Sequence, residues 1–433
     1  MKVVVGSSLA SLVLVDQLSK TEEVHWVKRQ GRVGGVFGGI DTEYGILDIG
    51  MTNFEFGELS SRPVDLPLEN YNNEAINSCR NHLNLVRSYF EQYSALSQLP
   101  EPQMIYAGDV IADFLYGHRL DVIKYFKFEQ GFVDQIGLLP SDLHPSLKYE
   151  TGSALEKVSY LEFCKLIYGT KIVSSIIQPW ISKLGAHNFD DISSVEHRII
   201  WSPLYYPESI VEGIRDGIVD IGLLASFAEP VETTLASLVS SVADEVSSRS
   251  AVTVVSEGTI SPELIGQLVS DESVTKVFVG DRIQFTNDQP LQSKIDLLYF
   301  KAEESKIDFE YVVNAPGFEI PWYRLTRHMS LPCGEVMLCG EYPGNSINEE
   351  FAATNLGIDK YVSVEQIIPV KKICNINALN LPDLKWDRNY RMAADKIVRS
   401  SKKISLMGPG LSRWRNTLSD QVIQAHQVMK EGQ

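Results

Sequence analysis

The N-terminal order of apolar and polar residues predicts a strand, a tight turn and a helix. Residues 2–5, KVVV, form a short apolar run that is typical of a buried parallel strand. After a turn that contains Gly6, apolar residues recur near helical spacing over residues 9–18. A second strand pattern at 22–30, EEVHWVKRQ, follows at the separation expected of a strand–helix–strand unit.

Strand and helix patterns alternate along the rest of the chain. Residues 31–39, GRVGGVFGG, are too rich in glycine for a regular element and predict a loop. The stripe of apolar residues at 231–248 predicts an amphipathic helix. Helical patterns also cover 73–98, 153–186 and about 417–429, and strand patterns cover 44–50, 251–255, 276–286, 309–315, 334–342 and 403–408. This mixture predicts an α/β protein.

Composition narrows the range of partners. The 433 residues carry a formal net charge of −17, which argues against nucleic acid and anionic membrane surfaces because both repel an acidic protein. A phosphate-bearing ligand would therefore have to be held by a local cluster of donors. The five cysteines form no CxxC pair and the eight histidines show no metal-ligand spacing, so we expect no metal site. His328 is interpreted as a surface or capping residue.

The N-terminus and the hydropathy pattern bear on cellular location. The chain runs directly into an apolar strand pattern, without the basic, apolar and small-residue regions of a signal peptide. No stretch reaches the ~20 apolar residues that a membrane-spanning helix needs. We therefore expect a cytoplasmic protein with no membrane partner, and the sequence leaves open whether it forms a homo-oligomer.

The first turn has the outline of a phosphate-binding site. A strand–turn–helix unit directs backbone N–H groups and the positive end of a helix toward one point, which suits a pyrophosphate. In the full pattern three glycines shape this turn, and here Gly6, Ser8 and Ser11 occupy their places. Serine is a small substitute whose hydroxyl can donate to a phosphate. The turn predicts either a dinucleotide site or a strand–helix opening that binds no ligand.

Lys28 departs from the pattern of a dinucleotide site at the end of the second strand. An acidic residue there normally accepts hydrogen bonds from a ribose, whereas an ammonium group can only donate. Lys28, which is followed by Arg29, could instead pair with a phosphate. The alternatives are that the ribose is held differently or not at all, and that Lys28 is a solvated charge at a strand end.

The glycine-rich loop and the segment after it resemble two signatures of the flavin-containing amine oxidase superfamily. The first is an Arg-x-Gly-Gly loop that lies against the FAD phosphates in that family. The second is an Asp-x-Gly near the flavin ring, which ILDIGMTNF resembles. The matching residues are Arg32, Gly34, Gly35, Asp48 and Gly50. Thr52 and Asn53 stand where sugar-mutase members often have a histidine.

Three later segments resemble the same superfamily, in particular its protoporphyrinogen oxidases and UDP-galactopyranose mutases. Residues 176–201 resemble a segment that reads roughly Pro-x-x-x-Lys-x-Trp-Gly and ends at an arginine. Residues 321–342 resemble an aromatic-Arg pair before a strand that ends in Glu, and residues 405–426 resemble the closing flavin motif. The matching residues are Pro179, Lys183, Gly185, Arg198, Tyr323, Arg324, Glu341, Gly408, Arg413, Asn416 and Asp420. Leu184 stands where a tryptophan is common.

The resemblance implies a Rossmann-like FAD-binding domain and a second, mixed helical and β substrate domain. The first would comprise residues 1–65, 210–287 and 335–433, and the second residues 66–209 and 288–334. The implied cofactor-binding residues are Gly6, Ser7, Ser8, Leu9, Ser11, Lys28, Arg29, Arg32, Gly34, Gly35, Gly50, Met51, Thr52, Gly408, Arg413, Asn416 and Asp420. The implied substrate-binding residues are Lys183, Arg198, Tyr205, Tyr206 and Arg324, although aromatic packing between domains fits the tyrosines better.

Three functions are compatible with this resemblance. The leading expectation is an FAD-dependent, amine oxidase-like oxidoreductase that positions a small molecule against the flavin N5. No residue has the pattern of a catalytic acid or base. The second is an isomerase similar to UDP-galactopyranose mutase, which uses reduced flavin without net redox change. The third, favoured by Ser8, Ser11 and Lys28, is a member of the fold that binds no cofactor and serves as a binding or scaffold protein.

Overall fold

The computed structural model describes residues 1–50, 54–56, 85–100, 102–113, 158–183, 226–285, 291–347, 350–381, 384–411 and 418–431. The strands are β1 (Lys2–Val5), β2 (Val24–Arg29), β3 (Ile40–Thr42), β4 (Gly45–Leu47), β5 (Phe54–Phe56), β6 (Leu96–Gln98), β7 (Gln103–Tyr106), β8 (Asp109–Ala112), β9 (Ser226–Pro230), β10 (Val252–Glu257), β11 (Lys276–Val279), β12 (Leu291–Glu303), β13 (Val312–Asn314), β14 (Arg324–Leu331), β15 (Glu335–Pro343), β16 (Pro369–Leu381) and β17 (Ile404–Leu406). The helices are α1 (Leu9–Leu18), α2 (Tyr160–Ile172), α3 (Gln178–Lys183), α4 (Leu235–Ser248), α5 (Pro262–Ser270), α6 (Leu384–Ser400) and α7 (Leu418–Glu431).

A five-stranded parallel sheet has the N-terminal strand at its centre. Its order is β10-β2-β1-β11-β17, and each neighbouring pair is parallel. The chain places β2 and β10 on one side of β1, and β11 and β17 on the other. In open parallel sheets, ligands bind in the crevice at the carboxyl ends of the strands beside such a reversal. Gly6 directly follows β1 and lies at this crevice.

Helices cover both faces of the parallel sheet, because side chains alternate between the two faces of a strand. Val4, Trp26 and Phe278 pack in one core with residues of α1, α4 and α7. Val3 and Val5 pack on the opposite face with residues of α5 and α6. Burial on both sides explains why β1 is a continuous valine run rather than an alternation of apolar and polar residues.

A second, mostly antiparallel sheet has seven strands in the order β16-β12-β15-β14-β13-β7-β8. Strands β13 and β7 pair in parallel, and the other neighbours are antiparallel. One face of this sheet packs an apolar core that includes Leu298, Leu325 and Leu338. The chain is thus a mixed α/β protein with a parallel sheet and a second, mostly β part.

Two late strands, β15 and β16, belong to the seven-stranded sheet. Strands β15 and β16 fall within residues 335–433, the last segment of the predicted Rossmann-like domain, but both pair with β12. The sequence patterns predicted β15, but a mostly apolar run does not reveal the neighbour with which a strand pairs, and they did not predict β16. Strands β10 and β11 do belong to the parallel sheet. The division into domains stays a prediction.

Element ends differ from the apolar patterns for local reasons. Strand β11 ends at Val279, where the pattern continued to residue 286, because the chain turns at Gly280. Helix α4 begins at Leu235 rather than at residue 231, because the Thr234 side chain accepts from the Ser237 amide and caps it. The sequence patterns did not predict α6.

No helix in the described ranges is long and apolar enough to cross a membrane.

Candidate functional site

The turn after β1 directs both serines into the protein interior. Ser8 caps α1, since its hydroxyl accepts from the Ser11 amide (3.3 Å) and donates to the Gly280 carbonyl (2.9 Å). The Ser8 and Ser11 hydroxyl oxygens lie 3.1 Å apart. Both side chains are buried. These hydroxyls are therefore engaged within the protein and do not extend toward a phosphate.

Gly280, which follows the strand beside β1, compensates for the missing glycine at position 11. A Cβ on Gly280 would overlap Ser11 Oγ and would come within 3.0 Å of Ser8 Oγ. In the full dinucleotide pattern, the glycine on the helix lets helix and strand pack closely. Here the neighbouring strand supplies that room, so α1 packs closely on the sheet despite Ser11.

Side chains satisfy most of the amides at the start of α1. The Ser8 amide donates to Asp281 Oδ1 (2.7 Å), and the Ala10 amide donates to Gln421 Oε1 of α7 (3.1 Å). The Leu9 amide has no acceptor among the described residues. A diphosphate fits this turn at that one backbone donor, at the positive end of the helix.

The glycine-rich loop lies directly beside this turn. The Gly34 amide donates to the Ser7 carbonyl (2.7 Å), and Ser8 and Gly34 form an isolated parallel bridge. Gly34 has a φ of 99°, which L side chains rarely adopt. No described atom lies within 4 Å of the position that a Cβ on Gly35 would take. The structure therefore brings the first turn and the Arg-x-Gly-Gly loop together and leaves space beside Gly35.

The Arg32 side chain bonds to other residues of the glycine-rich loop and of β3. Its guanidinium donates to the Gly38 carbonyl (3.0 Å) and pairs with the carboxylate of Asp41 (2.5 Å). The predicted contact of Arg32 with a phosphate would have to compete with these two partners.

Lys28 and Arg29 lie at the end of β2, next to the first turn. Lys28 Nζ is 5.6 Å from the centre of the Trp26 ring, and Trp26 Nε1 donates to the Gly6 carbonyl (2.8 Å). The Arg29 amide donates to the Ser7 hydroxyl (2.8 Å). Lys28 thus lies near the indole ring of Trp26, which hydrogen-bonds to the turn. The dinucleotide pattern has an acidic residue at the end of this strand, and this chain has a cation there.

The structure describes residues 405–411 and 418–426 of the segment that resembles the closing flavin motif. The Gly408 amide donates to Gln424 Oε1 (2.6 Å), and a Cβ on Gly408 would come within 2.8 Å of the Ala10 side chain. Asp420 lies in the first turn of α7. Outside the described residues lie Met51, Thr52, Arg198, Tyr205, Tyr206, Arg413 and Asn416.

The loop after β4 contacts both helix α4 and the seven-stranded sheet. Asp48 Oδ1 accepts from the Ala236 amide (2.7 Å) in the first turn of α4. The Tyr299 hydroxyl, from β12, donates to the Asp48 carbonyl (2.6 Å) and accepts from the Gly50 amide (3.3 Å). Gly50 has a φ of 66°, and a Cβ there would come within 2.9 Å of Glu341 Oε2. Gly50 is therefore needed for the close approach of this loop to the larger sheet.

The face of the seven-stranded sheet beneath this loop is polar. Directly opposed residues of neighbouring strands share a face. Arg324 opposes both Asn314 and Glu341. Cys339 opposes both Thr326 and Tyr299. We define the polar sheet face as the side chains of Tyr299, Asn314, Arg324, Thr326, His328, Cys339 and Glu341.

His328 joins the polar sheet face through a β-bulge. The register of β14 against β15 shifts between Arg327 and Met329, so His328 is an extra residue in its strand. Its ring meets the Tyr299 ring edge to face, with centroids 5.5 Å apart. Burial lowers the pKa of His328 to about 4, and the Gly50 backbone opposes this shift, so the imidazole is neutral at neutral pH. The expectation of a surface or capping histidine is wrong, because the side chain is buried.

Arg324 belongs to a buried ion pair. Its Nε lies 3.2 Å from Glu341 Oε1, and the Tyr323 hydroxyl donates to Glu341 Oε2 (2.8 Å). Arg324 and Glu341 are 5% and 3% exposed. Burial, reinforced by the Glu341 charge, raises the pKa of Tyr323 well above its usual value. Arg324 is thus a fixed cation whose charge Glu341 balances locally.

Several polar atoms of this face are buried without a hydrogen-bond partner among the described residues. These atoms are Asn314 Oδ1, Thr326 Oγ1 and both ring nitrogens of His328, although the Gly50 backbone lies near enough to the imidazole to raise its pKa. No such partner reaches Nε1 of Trp180 either, whose ring packs edge to face on Tyr323 at 5.8 Å. Native proteins pair nearly all such atoms with protein, water or ligand. The polar sheet face therefore has unused hydrogen-bonding capacity for a bound molecule.

Lys183 supports the polar sheet face from α3. Its Nζ donates to the carbonyls of Ala315 (2.6 Å) and Trp322 (3.0 Å), which flank the connection between β13 and β14. Burial lowers the pKa of this amine to about 7, and Glu319 opposes the shift. Lys183 therefore positions the segment that leads into Arg324.

Sequence reasoning found only part of this site. It named Gly50 and Arg324, which the structure links through Glu341. It did not name Thr326 or His328 as site residues. The alternation of polar residues in β14 was a usable signal, because residues two apart in a strand share a face.

Comparisons with known proteins support the fold. No protein-family model and no curated protein sequence matches the chain. A solved structure of reduced UDP-galactopyranose mutase has a TM-score of 0.61 and 13% identity, covering 98% of this chain and 91% of that one. An oxidoreductase from Methanosarcina mazei has a TM-score of 0.54 and 9% sequence identity, and the match covers 99% of this chain and 100% of that one. The PF1083 protein from Pyrococcus furiosus has a TM-score of 0.53 and 10% identity, and the match covers 99% of this chain and 97% of that one. The chain shares the architecture of these proteins along nearly its whole length.

Proposed function

We propose that the chain is an FAD-dependent oxidoreductase that acts on a small molecule at the polar sheet face. The observation that carries the proposal is the set of buried polar atoms on Asn314, Thr326 and His328 that have no hydrogen-bond partner in the part of the chain that the structure describes. Each such atom costs about 1–3 kcal/mol unless a ligand or a water pairs with it. A small molecule with hydroxyl, amide or carbonyl groups would satisfy these atoms.

The cofactor would be held largely by backbone groups. The Leu9 amide and the helix N-terminus behind it would bind the diphosphate, beside the Gly34–Gly35 loop. Gly50 would lie near the flavin ring, as the resemblance of its segment implies. When bound, FAD would supply a hydride acceptor at its N5.

The residues of the polar sheet face would bind and orient the small molecule. Arg324, fixed by Glu341, would donate to a carbonyl or hydroxyl oxygen. The neutral imidazole of His328 can donate at one nitrogen and accept at the other. Lys183 and the loop at Gly50 would hold the segments around the polar sheet face in place. No proton transfer by a side chain is required.

Anaerobic spectroscopy tests the oxidoreductase proposal. The chain loaded with FAD should lose its visible flavin absorption when the correct small molecule is added without oxygen, and should regain it in air. Panels of amines, alcohols and polyols would identify the substrate class. Failure of every class to bleach a bound flavin would contradict an oxidoreductase.

A mutase-like isomerase is the second candidate, favoured by the likeness in fold to a reduced UDP-galactopyranose mutase. It predicts turnover of a sugar nucleotide only after dithionite reduction of the loaded protein, with no change in redox state. Turnover of the oxidised protein, or no turnover after reduction, would count against it.

A cofactor-free binding protein is the third candidate. It is favoured by Lys28 at the ribose position and by the side chains that occupy the Ser8 and Ala10 amides. It predicts that no flavin co-purifies and that added FAD is not retained. Retention of one FAD per chain would exclude it.

A further inference from the structure

The carboxylate of Asp281 accepts the hydrogen bond of the Ser8 amide, the first backbone donor of the turn after β1. Asp281 follows Gly280 at the carboxyl end of β11, beside the point where the strand order reverses. Its Oδ1 accepts from the Ser8 amide at 2.7 Å, and its side chain is only 8% exposed. The Asp281 carboxylate also packs against Gly6, because a Cβ added to Gly6 would lie 2.6 Å from Asp281 Oδ1. The first glycine of the turn therefore makes room for this carboxylate.

This position is one that attracts anions. The N-terminus of a helix carries about half a positive charge and presents unpaired N–H groups, so phosphates and carboxylates both bind there. Asp281 supplies that anion from within the protein. A phosphate oxygen on the Leu9 amide would lie next to it, because Leu9 directly follows Ser8 in the chain.

We propose that Asp281 is an affinity-determining residue that disfavours diphosphate-bearing ligands at the start of α1. This inference rests on the proposed binding of FAD at that turn. Of the cations near this turn, Lys28 is directed to Trp26 and Arg32 to Asp41. The like charges of Asp281 and a diphosphate therefore repel across a short distance inside a buried crevice.

The substitution Asp281→Asn isolates the charge. An asparagine keeps an oxygen that can accept from the Ser8 amide, so the turn retains its hydrogen bond while the carboxylate charge is lost. Calorimetric titration with FAD should give a Kd at least about tenfold lower for the variant than for the wild-type chain. Riboflavin, which lacks the diphosphate, should bind both proteins with the same Kd.

Asp271→Asn is the matched control. Asp271 is an exposed acid that precedes β11 and accepts from Ser273, so the variant carries the same change in net charge away from the turn. It should leave the FAD Kd unchanged. If Asp281→Asn does not fold, as judged by thermal unfolding, then Asp281→Ser removes the same charge and is titrated in its place.

The outcomes separate this inference from the proposed function. FAD binding by both proteins with equal or weaker affinity in the variant would overturn the inference and leave the cofactor proposal standing. Binding by the variant alone would uphold the inference and contradict an FAD-dependent wild-type chain. Binding by neither protein would contradict both.

Discussion

At the scale of single residues, the site depends on buried polar groups whose partners are few and specific. Lys183 is 4% exposed and its amine contacts two backbone carbonyls. The Arg324–Glu341 pair is buried to a similar degree and needs the Tyr323 hydroxyl to complete it. Removing one member of such a group leaves another polar atom buried and unpaired, which costs more than the lost contact itself.

Lys183 makes stability depend on pH. Its pKa is about 7 in the folded chain and 10.5 when unperturbed, so the unfolded chain binds more protons between these values. The free energy of unfolding should therefore rise with pH across this window, by at most about 1.4 kcal/mol per pH unit from this group. Below pH 7 both states are protonated and the slope from Lys183 vanishes.

Urea unfolding of the wild-type chain and of Lys183→Met at several pH values measures this contribution as a difference. The stability of the wild type relative to the variant should increase from pH 7 upward. Lys165→Met, at an exposed position of α2, is the control and should show no such trend. A flat difference for Lys183→Met would mean that its amine keeps its ordinary pKa.

Thr326 should show opposite effects on stability and activity. Its hydroxyl is buried and unpartnered among the described residues, so Thr326→Val should raise the free energy of unfolding of the ligand-free protein by about 1 kcal/mol. The same change should lower kcat/KM about tenfold for the substrate that bleaches the flavin, because a ligand contact is lost. Ser330→Ala, at an exposed position of β14, should change neither quantity. A Thr326→Val protein that loses stability would show that the hydroxyl is already paired.

At the scale of elements, α1 and β11 fit each other through a serine and a glycine far apart in the chain. The apolar pattern predicted both elements and the turn between β1 and α1. It could not predict that Gly280 makes room for Ser11, because that contact requires β1 and β11 to be neighbours. The serines that read as a degraded glycine pattern are therefore compatible with close helix packing.

This fit predicts coupled substitutions. Gly280→Ala should destabilise the protein by about 1–3 kcal/mol, because the new Cβ would overlap Ser11 Oγ. Adding Ser11→Ala removes that oxygen and should restore much of the loss, giving a favourable coupling energy in a double-mutant cycle. Urea unfolding of the four proteins measures it. Additive losses would mean that Gly280 is needed for some other contact.

At the scale of the whole molecule, the α/β class and the central parallel strands could be predicted from sequence, because continuous apolar runs alternate with helical patterns. The sheet to which β15 belongs could not be predicted from sequence. Glu341 lies opposite Arg324 only because β15 pairs with β14 in antiparallel register. The polar sheet face is a product of that pairing. Its residues come from four strands, and no local motif joins them.

The central claim is that this architecture holds a flavin dinucleotide between the first turn and the polar sheet face. Difference absorption spectroscopy during titration of the purified chain with FAD tests it directly, because the flavin bands shift when the ring leaves water. We predict a saturable shift with one FAD per chain. A flavin spectrum that is unchanged at every concentration of the chain would contradict the claim.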